Sequence, residues 1–241
     1  MLSTVLIVVL SYLLGSIPAS VWVGKGLYGV DVREHGSGNA GATNVFRVLG
    51  WKAGVLTTLI DVGKGFFASA AVAGIRIDAV PSFGEWDASV VLQLVAGLSA
   101  VVGHMFPVWA RFKGGKGVNT AAGFLLAVTP LSLLITFGVF VFVLAASRYV
   151  SLASMIAAVS FPTTVAVRRF VFGQDLDPSI LVLGAILAAG IVYMHRANIG
   201  RLLAGNENRV RSFKPGKGRL REEQAEANTQ TSSTESNQEA S

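Results

Sequence analysis

Residues 1–24 contain no charged side chain, nor do 117–147, 149–167 and 179–194, and between 88 and 110 the only ionisable group is His104. A helix needs about 20 apolar residues to cross the roughly 30 Å hydrocarbon layer of a bilayer, and several of these runs are long enough. Within that layer the backbone must satisfy its own hydrogen bonds, which restricts spanning structures to helices and closed barrels. Composition points the same way. With 52% hydrophobic and only 14% charged residues and a mean hydropathy of +0.57, a soluble globule would lack polar material to cover its surface. The expected fold is all-α, a polytopic transmembrane helical bundle.

The first apolar run precedes Lys25 instead of following a basic segment, so it reads as a retained helix entering from outside and not as an export signal. Cysteine is absent, which excludes disulfides, thiolate-bound zinc and thiol catalysis together. The net charge of +6 comes from basic residues beside apolar spans, as expected of loops facing anionic lipid head groups. No aromatic stacking platform or basic recognition helix accompanies it, so nucleic acid is not an expected partner.

Apolar segments fall at 2–23, 53–75, 88–110, 118–146, 150–167 and 180–194. Loop 24–52 carries Lys25, Arg33, Arg47 and Lys52, whereas loop 76–87 sets one arginine against Asp78, Glu85 and Asp87. The positive-inside rule then puts the first loop in the cytoplasm, the second outside, and the N-terminus outside. The basic stretch 196–221 should also be cytoplasmic, which requires an odd number of crossings. Either the run 117–147 is broken near Pro130, or the short segments 150–167 and 180–194 do not each cross. Residues 222–241 hold no aliphatic side chain larger than Ala and are expected to be disordered. The expected division is a membrane domain over 1–210 and a basic, then disordered, cytoplasmic tail over 211–241.

Three polar islands interrupt the apolar runs. EHGSGNAGATNVFRVLG at 34–50 matches a dinucleotide-binding spacing at Gly36, Gly38 and Gly41, but no strand precedes it. Its chemistry still suits an anion. Glycines such as Gly41 let backbone N–H groups approach a ligand, and Ser37, Asn39, Thr43, Asn44 and Arg47 supply donors. WARFKGGKGVNTAAGF at 109–124 fails the nucleotide-binding P-loop pattern, since Ala110 stands at its first glycine and Gly117 follows Lys116 where Ser or Thr is required. Even so, Gly114, Gly115 and Gly117 expose amides around the Lys116 charge, and Thr120 falls in the first turn of the next helix, whose dipole favours anions. HRANIGRLLAGNENRV at 195–210 puts His195 and Asn198 on one helical face at the membrane boundary, with Glu207 beyond. A weaker signal is Asp61 with Lys64, one turn apart in an apolar segment and read as a supporting ion pair. His35, His104 and His195 are too scattered for a metal motif, and no metal site is expected.

Together these stretches resemble the signature motifs of the bacterial acyl-phosphate:glycerol-3-phosphate acyltransferases. The matching residues are GSIP at 15–18, SGNAGATNVFRVLG at 37–50, DVGKG at 61–65, GHMFPVWARFKGGKGVNTAAG at 103–123 and HRANIGRLLAGNEN at 195–208. Ala197 and Asn119 depart from the pattern, standing where an acidic and a small residue are usual. The resemblance implies a bundle of seven transmembrane helices, some short, which would resolve the odd count. It also implies transfer of a fatty acyl group from acyl phosphate to the 1-hydroxyl of sn-glycerol 3-phosphate, giving lysophosphatidic acid and phosphate. Beyond the four residues that follow His35, His104 and His195 stand Ala40, Trp109 and Gly200, none acidic, so the His-x-x-x-x-Asp pair of acyl-CoA-dependent acyltransferases is absent.

On this reading Ser37, Arg47, Lys116, His195 and Asn198 carry the chemistry. Asn39, Gly41, Thr43, Asn44, His104, Gly114, Gly115, Gly117, Thr120 and Glu207 bind substrate or phosphate. No cofactor is expected. The expected partners are the two substrates, the bilayer and an enzyme producing acyl phosphate, with the protein a monomer in the cell membrane and its site on the cytoplasmic side. Gly15, Pro18, Gly103 and Pro107 are expected helix breaks where the site could open. The rival reading is a carrier of phosphate or glycerol phosphate, which would present similar loops near the bilayer midplane.

Overall fold

The structure, a computed structural model, describes residues 1–210, 216 and 218–220. Among the described residues ten α-helices follow one another: α1 Leu2–Gly15, α2 Ala19–Tyr28, α3 Ala42–Leu49, α4 Trp51–Ala70, α5 Ala88–Met105, α6 Val118–Val128, α7 Pro130–Ser147, α8 Val150–Ala166, α9 Pro178–Met194 and α10 Arg196–Leu203. Among the described residues the only strand-like pairing is the isolated bridge Phe83–Trp86. Among the described residues five segments are long and apolar enough to span a bilayer: Leu2–Tyr28, Trp51–Gly74, Ala88–Ala110, Pro130–Ser147 and Val150–Val171. α9 and α10, bent by 56° about His195, pass the same test as a pair, and α6 is a shorter apolar helix. The stretch expected to be disordered, 222–241, lies outside the described residues.

Two compact units divide the chain, one of residues 1–18 with 60–212 and the other of 19–59 with 213–241. In the larger unit the helices bury small polar groups beside their apolar core and leave many large apolar side chains, aliphatic and aromatic, on the outside. α7 is the clearest case: it buries Ser132 and Thr136, while Phe142 is 74% exposed. Such an arrangement suits lipid and would be an aggregation surface in water. Phe124, Phe161, Leu94, Leu187 and Ile191 form the core between α5, α6, α8 and α9. Asp87 and Asp177 cap α5 and α9 by accepting hydrogen bonds from the first backbone amides of each helix.

Glycine permits the closest helix contacts. A Cβ on Gly15 would sit 2.1 Å from the Ala100 carbonyl oxygen and one on Gly103 2.2 Å from that of Tyr12, so α1 and α5 meet backbone to backbone. Gly103 therefore lies within an unbroken helix, contrary to its expected role as a break, whereas α1 does end at Gly15 and α5 ends two residues before Pro107. The run 117–147 is broken at Thr129, with Pro130 opening α7, as one of the two sequence alternatives required.

Contacts in this unit sort its loops into two ends. Lys116 bonds Asn198, Ser151 bonds Glu207 and the Val210 amide bonds the Arg148 carbonyl, which gathers residues 116, 148–151 and 198–210. At the other end the Asp87 amide donates to Asp177, and Arg168 donates to Thr129 and Ser132. α6 and α7 thus leave the first end and return to it. In the smaller unit α2 and α3 pack around the turn at Val32–Glu34.

Candidate active site

The larger unit brings two of the three polar islands together. Its loop between α5 and α6 contains two consecutive left-handed residues, Arg111 (φ 55°) and Phe112 (φ 59°). Paired strain of this kind in residues with side chains persists only where surrounding structure enforces it, and it collects at ligand sites. The Gly115 amide donates to the His104 carbonyl at 3.1 Å, and a Cβ on Gly114 would lie 2.0 Å from that same oxygen. The loop is thereby pressed onto the last turn of α5. Gly117, with φ +82°, turns the chain into α6 as its N-cap. Thr120 follows in the first turn, fully buried, its hydroxyl without a hydrogen-bond partner among the described residues.

Lys116, half-buried between these glycines, donates from Nζ to Asn198 Oδ1. Asn198 is buried in α10, and its Nδ2 donates to Glu207 Oε1 at 2.7 Å. Glu207 also accepts from Arg201 Nε at 2.7 Å and from Ser151 Oγ at 3.0 Å. Gly205, at φ +72°, reverses the chain after α10 so that Glu207 returns to Asn198. Burial alone would raise the Glu207 carboxyl, but the hydrogen bonds from Asn198, Arg201 and Ser151 overcome it and hold the group below its ordinary value. Glu207 thus fixes which end of the Asn198 amide faces Lys116. His195, buried at the bend between α9 and α10, donates from Nδ1 to the Ile191 carbonyl at 2.8 Å. That bond leaves Nε2 as the lone-pair nitrogen of the neutral ring.

His104, expected to bind phosphate, contacts a buried charge pair through its ring Nδ1. Its buried ring lies 2.8 Å from Lys64 Nζ and 3.2 Å from Asp61 Oδ1, and Lys64 and Asp61 are themselves 2.9 Å apart. Its backbone carbonyl touches the glycine loop.

The first island belongs to the smaller unit. Asn44, buried in α3, donates from Nδ2 to the carbonyls of Val32 and His35 and accepts at Oδ1 from the Ser37 amide. Its amide is committed to holding the loop, so it shapes the site of Ser37 instead of offering a free donor. Ser37 and Thr43 are exposed, Asn39 and Gly41 half-buried, and Arg47 stands one helical turn beyond Thr43. Asp31 ties the base of this loop to Arg33 and Lys25, and the Arg33 guanidinium holds its carboxyl well below the usual range.

Reading the sequence missed Ser151 and Arg201, the supports of Glu207. Ser151 lies in a charge-free run, and Arg201 reaches Glu207 only through the Gly205 reversal, a separation that no helical periodicity marks. Among the described residues no group of three or more acidic or histidine side chains is placed to hold a metal ion.

Fold and site thus define an integral membrane protein of apolar helices with a cation and directed amides at one end. The chain belongs to the glycerol-3-phosphate acyltransferase family, whose model matches residues 5–205. The glycerol-3-phosphate acyltransferase of Salinibacter ruber is 60% identical to it, covering 91% of this chain and 98% of the relative. That of Chlorobaculum tepidum is 48% identical, covering 87% and 97%. Among solved structures, PlsY (YgiH), an integral membrane glycerol 3-phosphate acyltransferase crystallised in its glycerol 3-phosphate form, matches with a TM-score of 0.72 at 42% identity, over 86% of this chain and 96% of that one. Its lysophosphatidic acid form matches with a TM-score of 0.69.

Proposed function

We propose that this protein transfers a fatty acyl group from acyl phosphate to the 1-hydroxyl of sn-glycerol 3-phosphate, releasing inorganic phosphate and lysophosphatidic acid. The observation that carries the reading is the relay Lys116–Asn198–Glu207, which aims a cation and an oriented amide from a glycine loop at one end of a membrane bundle. Acyl phosphate is a mixed anhydride with a leaving group stable as an anion, so positioning and charge stabilisation meet most of the chemical demand. The glycerol oxygen attacks the acyl carbon, the carbon–oxygen bond to phosphate breaks, and the hydroxyl proton ends on a phosphate oxygen. No acyl-enzyme forms, and the reaction as written needs no cofactor.

Lys116, Arg47, Ser37, Thr43 and the amides of Gly114, Gly115 and Gly117 bind phosphate groups, with Asn39, Gly41 and Thr120 adding donors, while His195 and Asn198 orient the glycerol hydroxyls. Asn44, His104 and Glu207 act by holding those groups in place. We place the Lys116 end in the cytoplasm because its loops carry more basic residues, Arg111, Lys113, Lys116, Arg148, Arg196, Arg201 and Arg209, than the other end, which has Arg76, Arg168 and Arg169. Seven passes through the cell membrane then connect an external N-terminus to a cytoplasmic tail after residue 210, with the protein working as a monomer beside an enzyme that makes acyl phosphate.

The test is purified protein supplied with both substrates. Phosphate release that requires acyl phosphate and glycerol 3-phosphate together is expected. No release, with glycerol phosphate uptake into reconstituted vesicles, would replace the enzyme with a carrier.

A further inference from the structure

α4 carries, in the DVGKG segment at 61–65, a charge pair that the proposed chemistry does not use. Asp61 is 1% exposed and Lys64 3%, deep among apolar helices. An ion pair in such surroundings contributes little net stability, since desolvation offsets its attraction and hydrophobic replacements of similar volume are often neutral or better. Its neighbours give it a purpose. Lys64 Nζ lies 3.0 Å from the Ile17 carbonyl, 2.9 Å from Asp61 Oδ1 and 2.8 Å from His104 Nδ1. An ammonium has three donors and no acceptor, and the Ile17 carbonyl, Asp61 Oδ1 and His104 Nδ1 are the three groups gathered around it. The His104 ring is locked in orientation, and with it the last turn of α5, whose His104 carbonyl accepts from Gly115.

The next residue of the segment does the same for the other side of the loop. A Cβ on Gly65 would sit 2.0 Å from the Thr120 carbonyl oxygen, and one on Gly123 1.9 Å from that of Val62, so α4 and the first turns of α6 touch backbone to backbone. Two consecutive positions of one helix therefore hold the stem before the Lys116 loop and the stem after it.

We propose that Asp61, Lys64 and Gly65 form a clamp that sets the separation of the two stems of the Lys116 loop, making Lys64 and Asp61 positioning residues for substrate phosphate binding. The clamp acts without touching substrate. Loosening it lets the Gly114–Gly117 loop sample positions in which Lys116 and its flanking amides no longer converge on one anion. This inference rests on Lys116 as a phosphate ligand.

The experiment compares wild type with Asp61→Asn/Lys64→Met, which removes both charges and strands neither, and with Gly65→Ala, alongside Lys116→Ala. Thermal melting in detergent and steady-state kinetics with varied glycerol 3-phosphate are measured on each. The expected result is a double variant that melts within a few degrees of wild type with KM for glycerol 3-phosphate raised at least tenfold, and Gly65→Ala moving KM in the same direction. A double variant with wild-type KM and kcat overturns the clamp, as does a loss of activity accounted for wholly by unfolded protein. Normal activity in Lys116→Ala would instead defeat the underlying reading, so the two failures are told apart.

Discussion

Replacing Glu207 with alanine tests whether Asn198 works because its amide is oriented. The carboxylate side chain is 6% exposed and accepts from Asn198 at 2.7 Å, Arg201 at 2.7 Å and Ser151 at 3.0 Å. A hydrogen bond to a charged group is worth about 1.5–3 kcal/mol. The Arg201 contact contributes less than about 1 kcal/mol because that side chain is 36% exposed and screened. With about 2 kcal/mol of orientation lost from the transition state, kcat/KM should fall roughly thirtyfold. A stability loss of about 2–3 kcal/mol should lower the melting temperature by about 5–10 °C. Glu207→Gln keeps one acceptor for Asn198 and should lose less of both. Because the folded-state carboxyl is held below its ordinary value, its stabilisation is fully present above the unfolded pKa and disappears as pH falls through the lowered folded one. The gap in melting temperature between wild type and Glu207→Ala should therefore narrow on the acid side of about pH 4. Kinetics by phosphate release and melting by fluorescence measure both quantities. Wild-type kcat/KM in a folded Glu207→Ala protein would refute the orienting role.

Gly123→Ala places a Cβ 1.9 Å from the Val62 carbonyl oxygen, whereas Gly138→Ala meets nothing within 4 Å, so the first should lower the melting temperature clearly and the second leave it unchanged or slightly raised; equal effects would deny the close contact of α4 with α6. The chain contains no cysteine, so single cysteines at the exposed positions Ser37, Lys113 and Asn206 can be labelled without background in oriented vesicles. All three should react from the cytoplasmic side and a cysteine at Glu85 from the other. Labelling of Lys113 and Asn206 positions from opposite sides would contradict the arrangement of the bundle.

Spans and polar islands could be read from the sequence because charge-free runs and glycine-flanked cations are local properties. The demand for an odd number of crossings left two alternatives, and a break near Pro130, where α7 begins, was one of them. What escaped were contacts created by packing. His104 lies five residues before the second island and reads as a ligand. Its ring instead answers Lys64, forty residues earlier in the chain. Gly103 looked like a hinge, but it allows α1 to approach an intact α5. Asn44 offered donors by residue type, and the fold of its own loop uses them up. In each case residue chemistry was visible, while the partner that decides its use was not.

The central claim is that Lys116 grips substrate phosphate for acyl transfer, and its most direct measurement is phosphate release by Lys116→Ala in detergent with both substrates saturating. The account predicts a folded protein whose turnover is lower by about 100-fold or more. A folded variant that turns over within twofold of wild type would contradict it.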